Sequence, residues 1–275
     1  MSGGMFDMSD RVAVITGAGA NGGVGHALAL GFARQGADIV AADIDTAGAE
    51  VTADEVRALG RRSIAVHCDI SRDDDVVHLF EEVDSQFGRV DILVNVPYVF
   101  PERVQPHELT LAGWQKTLDV CITGYFLCAR QAVRRMLSQG AGGSILNISS
   151  IAGSSALGRG NFPYSVAKGG VNQLTKELAV EYAGKGIRVN AIQPCTVLTP
   201  GLKTQLLADP RFGQRLRDRL LVGIPMNRFM DPEDMVGPGI FLCSDAAAAV
   251  TGVLLPVDGG NLALNASGSH IWPSE

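Results

Sequence analysis

Apolar residues along the chain gather into short, nearly unbroken runs separated by stretches of helical periodicity. The runs are RVAVIT at 11–16, ADIVAAD at 37–43, SIAVHCD at 63–69, VDILVNV at 90–96, GSILNIS at 143–149, IRVNAIQP at 187–194 and GVLLPVDGG at 252–260. A strand with one wet face alternates apolar and polar residues. Runs this continuous belong to strands covered on both faces. Between them lie amphipathic segments at 25–36, 46–60, 73–88, 108–138 and 162–184. Gly36 and Gly60 close the first two, and three aspartates open the third, where a helix N-terminus favours negative charge. An amphipathic insertion at 199–223 and one more helix precede the last strand. Seven strands alternating with helices predict an α/β fold: a doubly wound parallel sheet with helices on both faces. No linker or repeat interrupts the pattern, so 1–275 reads as a single domain, with a substrate-covering insertion at about 198–228 and a C-terminal tail at 261–275.

Composition agrees with a large globular core. The chain has 275 residues, 46% apolar and 19% charged, which excludes global disorder. Its net charge of −6 argues against a nucleic-acid partner, which calls for a basic stripe. No apolar run reaches the ~18 residues of a membrane span. The first residues, MSGGMFDMSD, lack the basic-then-apolar order of a signal peptide. Five cysteines, Cys68, Cys121, Cys128, Cys195 and Cys243, are odd in number and form no C-x-x-C, the pattern of reduced thiols. The expectation is a cytoplasmic protein with a small-molecule substrate, no nucleic-acid partner and no membrane partner.

The first strand runs into TGAGANGGVG, a glycine-rich turn before a helix. Such glycines let the backbone close up against a pyrophosphate, which then sits on the N–H groups of the helix's first turn. Asp43 ends the second strand, 18 residues past Gly25. A carboxylate there accepts hydrogen bonds from the adenosine ribose hydroxyls and repels a 2′-phosphate. The glycine turn holds no Arg or Lys. This is a Rossmann-type arrangement that favours NAD over NADP.

A second constellation follows the fifth strand. Ser150 stands at its end, and Tyr164 and Lys168 are four residues apart, on one helix face. A free phenol, with a pKa near ~10, is a poor base at neutral pH. A nearby ammonium favours the phenolate, so Tyr164 would take a hydroxyl proton from an alcohol or give one to a carbonyl.

These motifs, together with CDI, NISS, YSVAK, RVNAIQP and the closing SDAAAAVTGVLLPVDGG, stand in an order that resembles the classical short-chain dehydrogenases/reductases over about residues 11–260. The resemblance implies an NAD-dependent oxidoreductase that interconverts a secondary alcohol and a ketone on a small polar substrate: a sugar, polyol, hydroxy acid or sulfonate. Ser150, Tyr164 and Lys168 would be catalytic, with Ser150 holding the substrate oxygen and Lys168 also reaching the nicotinamide ribose. Implied cofactor contacts are Gly17, Asn21, Gly23, Val24, Gly25, Asp43, Ile44, Asp69, Ile70, Asn95, Tyr164, Lys168, Pro194, Val197 and Thr199; Asp69 and Ile70 would flank the adenine. The resemblance also implies a homotetramer, with the tail, Trp272 included, joining subunit contacts.

Three positions depart from the family pattern. The glycine turn carries five residues between Gly17 and Gly23 in place of three. The fourth strand ends in NVPY, not Asn-Asn-Ala-Gly. Cys121 stands where the family places an asparagine, often counted as a fourth catalytic member. That asparagine braces a helix bend against the fourth strand's end, and its backbone carbonyl holds a water linked to the lysine. A thiol cannot make the same amide hydrogen bonds, so Cys121 is either a catalytic-site replacement with an altered proton path or a small buried apolar residue. Cys195, which follows the proline of QP, would sit near the nicotinamide; no histidine pattern makes a metal site of it.

For the substrate, Ser150, Arg159, Asn161 and Tyr164 are the candidate contacts. Segment 198–223 carries Lys203, Arg211, Arg215, Arg217 and Arg219 against two aspartates, and Arg103 and His107 follow the fourth strand. Such a basic lid suits an anionic substrate, or it is a solvated helix face. Two alternatives remain: an NADP-dependent 3-oxoacyl reductase, and a non-catalytic NAD-sensing regulator on the same fold.

Overall fold

A computed structural model describes residues 4–264 apart from positions 101, 159 and 209. The strands are β1 (Val12–Thr16), β2 (Asp38–Asp43), β3 (Ser63–His67), β4 (Ile92–Asn95), β5 (Gly143–Ile148), β6 (Ile187–Pro194) and β7 (Leu254–Val257). The helices are α1 (Val24–Arg34), α2 (Thr46–Ala58), α3 (Asp73–Phe87), α4 (Leu111–Leu118), α5 (Gly124–Gln139), α6 (Phe162–Tyr182), α7 (Pro200–Ala208), α8 (Pro210–Leu221) and α9 (Val236–Cys243). All seven strands form one parallel sheet in the order β3-β2-β1-β4-β5-β6-β7.

Alternate residues of each strand bury into opposite layers. Ala13 and Ile15 of β1, with Ile39, Val94 and Ile192, pack under α1, α2 and α9. Val12 and Val14, with Val40, Leu93 and Val189, pack under α3, α5 and α6. This is why the strands read as continuous apolar runs. The strand order reverses direction between β1 and β4. At such a switch point the loops beyond the strand ends diverge and leave a crevice, which is where doubly wound sheets bind their ligands.

The helical region foreseen at 108–138 is broken. A π turn at Asp119–Thr123 separates α4 from α5, with Cys121 at its centre. Such turns insert one residue into the helical ladder and frequently mark functional sites. The insertion likewise divides into α7 and α8, since Pro210 has no N–H to continue a helix. Pro200, at the head of α7, lies 3.6 Å from where a Gly22 side chain would begin, so the insertion rises beside the glycine turn. Among the described residues no helix is long and apolar enough to cross a membrane.

Candidate active site

The glycine turn leads from β1 into α1. Gly17 has φ of 77°, and a Cβ on Gly25 would lie 2.1 Å from the Gly17 carbonyl oxygen, so the turn closes on itself only with glycine there. α1 is capped by Gly23, which offers no side chain to the first N–H groups, and its first turn holds no acid. An open, positively polarised helix end of this kind fits a pyrophosphate. Asp43 stands across the turn. Its Oδ2 accepts the Gly19 N–H at 2.7 Å and its Oδ1 accepts the Asp45 N–H at 2.9 Å. Beside it Ile44 is 64% exposed, an apolar side chain held in water at the place a flat purine would cover. His26, in the first turn of α1, faces Glu55 at 3.1 Å. These residues fit a dinucleotide cofactor.

Other expected cofactor contacts fall at the same edge. Asp69 follows β3, and its Oδ1 accepts from the Ser71 hydroxyl and N–H; Ile70 is buried against Gly124. Pro194 ends β6, and Val197 bridges Met230. The Thr199 hydroxyl accepts the Leu202 N–H at the head of α7. Asn21 is exposed in the turn. Asn95 differs: its side chain is turned into the sheet, where its Nδ2 donates to Asn147 Oδ1 at 3.0 Å. It ties β4 to β5 and leaves only its backbone for the cleft.

Ser150, Tyr164 and Lys168 converge beyond β5. Ser150 is buried, and its hydroxyl accepts the Ala152 N–H at 3.1 Å. Tyr164 and Lys168 are on the inner face of α6, 8% and 1% exposed. Lys168 Nζ lies 5.8 Å from the centre of the Tyr164 ring. Burial pushes the Tyr164 phenol above its usual pKa; interaction with Ser150 opposes the rise, while Cys121 and Tyr98 add to it. The lysine was expected to lower this pKa, but burial dominates and raises it. The Tyr98 ring meets Tyr164 edge-on with centroids 6.5 Å apart, and the Phe100 ring lies tilted against it at 5.1 Å. Burial likewise pulls Lys168 down to about 8.

Cys121 holds the loop that follows β4, although it lacks an amide. Its Sγ accepts the Val99 N–H at 3.4 Å and donates to the Val99 carbonyl at 3.6 Å. The ammonium of Lys168 donates to the Ile148 carbonyl at 2.7 Å and to the Tyr125 hydroxyl at 3.0 Å. Tyr125 escaped the sequence reading, because a tyrosine at a core-facing helical position looks like packing. Its spacing of four from Cys121 was the available signal.

A family model described as enoyl-(acyl carrier protein) reductase matches residues 17–261. The chain belongs to the short-chain dehydrogenase/reductase family. It is 39% identical to cis-4-hydroxycyclohexanecarboxylate dehydrogenase of Sinomonas cyclohexanicum, over 93% of this chain and 98% of that one. It is 38% identical to D-threitol dehydrogenase of Mycolicibacterium smegmatis, over 93% and 94%. Among solved structures it superimposes on a Beutenbergia cavernae protein described as an NAD(P)-dependent gluconate 5-dehydrogenase, with NADP bound at low occupancy. There the TM-score is 0.84 and the identity 38%, covering 94% of this chain and all of that one. These relatives make the chain an oxidoreductase of the short-chain dehydrogenase type.

A cleft of about 600 Å³ opens beside the first turn of α6, lined by Arg103, Gln105, Leu157, Phe162 and Ser165 among others. Asn161 caps α6, and its amide donates to the Gly158 carbonyl at 3.1 Å. Arg159 and Trp272 lie outside the described residues. Lys203, Arg215 and Arg219 of the insertion are exposed, and Arg217 rests on the Phe229 ring at 5.5 Å.

Proposed function

We propose that the protein is an NAD-dependent dehydrogenase of secondary alcohols, acting on a small ring or polyol substrate that carries a polar or anionic group. The observation that carries this reading is the meeting of Ser150, Tyr164 and Lys168 beyond β5, beside the glycine turn. Ser150 would hold the carbinol oxygen by a hydrogen bond. Tyr164 would exchange the hydroxyl proton with it. Lys168 supplies the positive charge that a buried phenol needs before it can act as a base. Bound NAD supplies the hydride acceptor. As the alcohol is oxidised, its O–H proton passes to the Tyr164 oxygen, and the C–H electron pair leaves with the hydride.

Asp43 supports NAD over NADP. Both of its oxygens are anchored to backbone, so the charge stays where a 2′-phosphate would have to sit. On the substrate side, Tyr98 and Phe100 form an aromatic wall against Tyr164, which suits the apolar face of a ring. Arg103 borders the adjoining cleft and, among the described residues, makes no ion pair, which suits an anionic substituent. The hydroxycyclohexanecarboxylate relative fits the same pattern. A panel of polyols, sugars, hydroxy acids, sulfonates and hydroxycycloalkane carboxylates, run with NAD and again with NADP, tests the reading. NADH should form with at least one ring or polyol alcohol, and NADP should serve at least about tenfold worse. Reduction of neither cofactor by any alcohol would overturn it.

A further inference from the structure

Lys168 is an almost fully buried cation. Among the described residues it makes no ion pair. The titratable groups around it are Tyr164 on its own helix, Cys121 in the π turn and Tyr125 on α5. Its place is therefore set by dipoles. An ammonium has three N–H donors. One goes to the Ile148 carbonyl at 2.7 Å and a second to the Tyr125 hydroxyl at 3.0 Å, which leaves the third for the cleft.

Tyr125 is completely buried, and its single proton lies between two carbonyls, Pro97 at 3.1 Å and Ile148 at 3.0 Å. Ile148 already serves the ammonium. Donation to Pro97 satisfies both acceptors and turns the phenol's lone pair toward Lys168. Pro97 in turn packs on the glycine turn: a Gly17 side chain would begin 3.1 Å from its ring and nitrogen. A continuous path thus runs from Lys168 through Tyr125 and Pro97 to the residues fitted to the cofactor.

We propose that Tyr125 is the positioning residue of Lys168: its hydroxyl fixes the ammonium behind Tyr164 and ties that position to the Pro97 segment beside the glycine turn. This rests on the proposed role of Lys168. It adds a residue chosen by this chain's own geometry, whose hydroxyl contacts the lysine directly.

Removing the hydroxyl takes a charge-stabilising acceptor from Lys168, so the cation is less favoured and the phenolate harder to reach. In Tyr125→Phe the acid limb of the kcat–pH profile for alcohol oxidation should move up by about one unit. At neutral pH, kcat should fall roughly tenfold, with KM for NAD changed less than about twofold. A limb that superimposes on the wild-type one would overturn the proposal. Tyr125→Met, also lacking the hydroxyl, must give the same shift and serves if the phenylalanine protein does not fold. In a Lys168→Met background, Tyr125→Phe should cost nothing more; additive losses would mean that Tyr125 acts independently of the lysine. A failure of the underlying reading looks different: Lys168→Met alone would then leave oxidation intact.

Discussion

The Asp43 carboxylate accepts the backbone N–H of Gly19 at 2.7 Å and ties the end of β2 to the glycine turn. A Cβ on Gly19 would lie 2.7 Å from the Asp43 carboxyl carbon, which shows how close the two approach. Both oxygens of the carboxylate are thereby fixed on backbone N–H groups beside the glycine turn.

Cofactor choice follows from that pair. Asp43→Ser should lower kcat/KM with NAD by about 10–100-fold, the loss of a charged hydrogen bond, and raise it with NADP by relieving repulsion. Steady-state kinetics with both cofactors gives the ratio. An unchanged ratio would remove Asp43 from cofactor selection.

The turn itself is equally constrained. Gly25→Ala would drive a methyl into the Gly17 carbonyl, with 2.1 Å between them. Overpacking of this kind costs about 1–3 kcal/mol. The variant should melt several degrees lower and bind NAD too weakly to detect by protein fluorescence, whereas Gly60→Ala, at an open helix end, should retain NAD binding.

Lys168 gives a stability signature. Its pKa is about 8 in the fold against 10.5 when exposed, so between these values the unfolded chain binds more protons than the folded one. Stability contributed at this position therefore rises with pH across that window. Cys68 and Cys243, pushed up to about 12 by burial, act in the opposite sense above pH 9. Comparison with Lys168→Met cancels those terms. From pH 7.5 to 9 the melting temperature of the wild type should gain on that of the variant; a constant gap would contradict the buried, depressed lysine.

The aromatic wall predicts a specificity effect. Phe100→Ala removes the ring tilted against Tyr164 at 5.1 Å. KM for a ring alcohol should rise about three- to tenfold, in keeping with the energy of an aromatic contact, with a smaller change for an open-chain polyol. Equal changes for both would place the ring outside the substrate site.

The sheet was legible because both of its faces are covered: seven apolar runs became seven parallel strands. The turn between β1 and α1 and the place of Asp43 at the end of β2 were legible because both depend on local spacing. What escaped depends on neighbours distant in sequence. The π turn inside 108–138 packs against α6, where a Gly170 side chain would strike Ile122. The sign of the Tyr164 shift follows from its burial in the fold, with Cys121 and Tyr98 adding to it. Cys121 read as unable to replace an amide, yet its sulfur reaches both backbone groups of Val99.

The central claim is that Tyr164 moves the proton in NAD-dependent alcohol oxidation, and Tyr164→Phe tests it most directly. With a substrate found in the alcohol panel, the rate of NADH formation should drop by about 10²–10⁴-fold while NAD affinity holds. Oxidation at the wild-type rate by that variant would contradict the account.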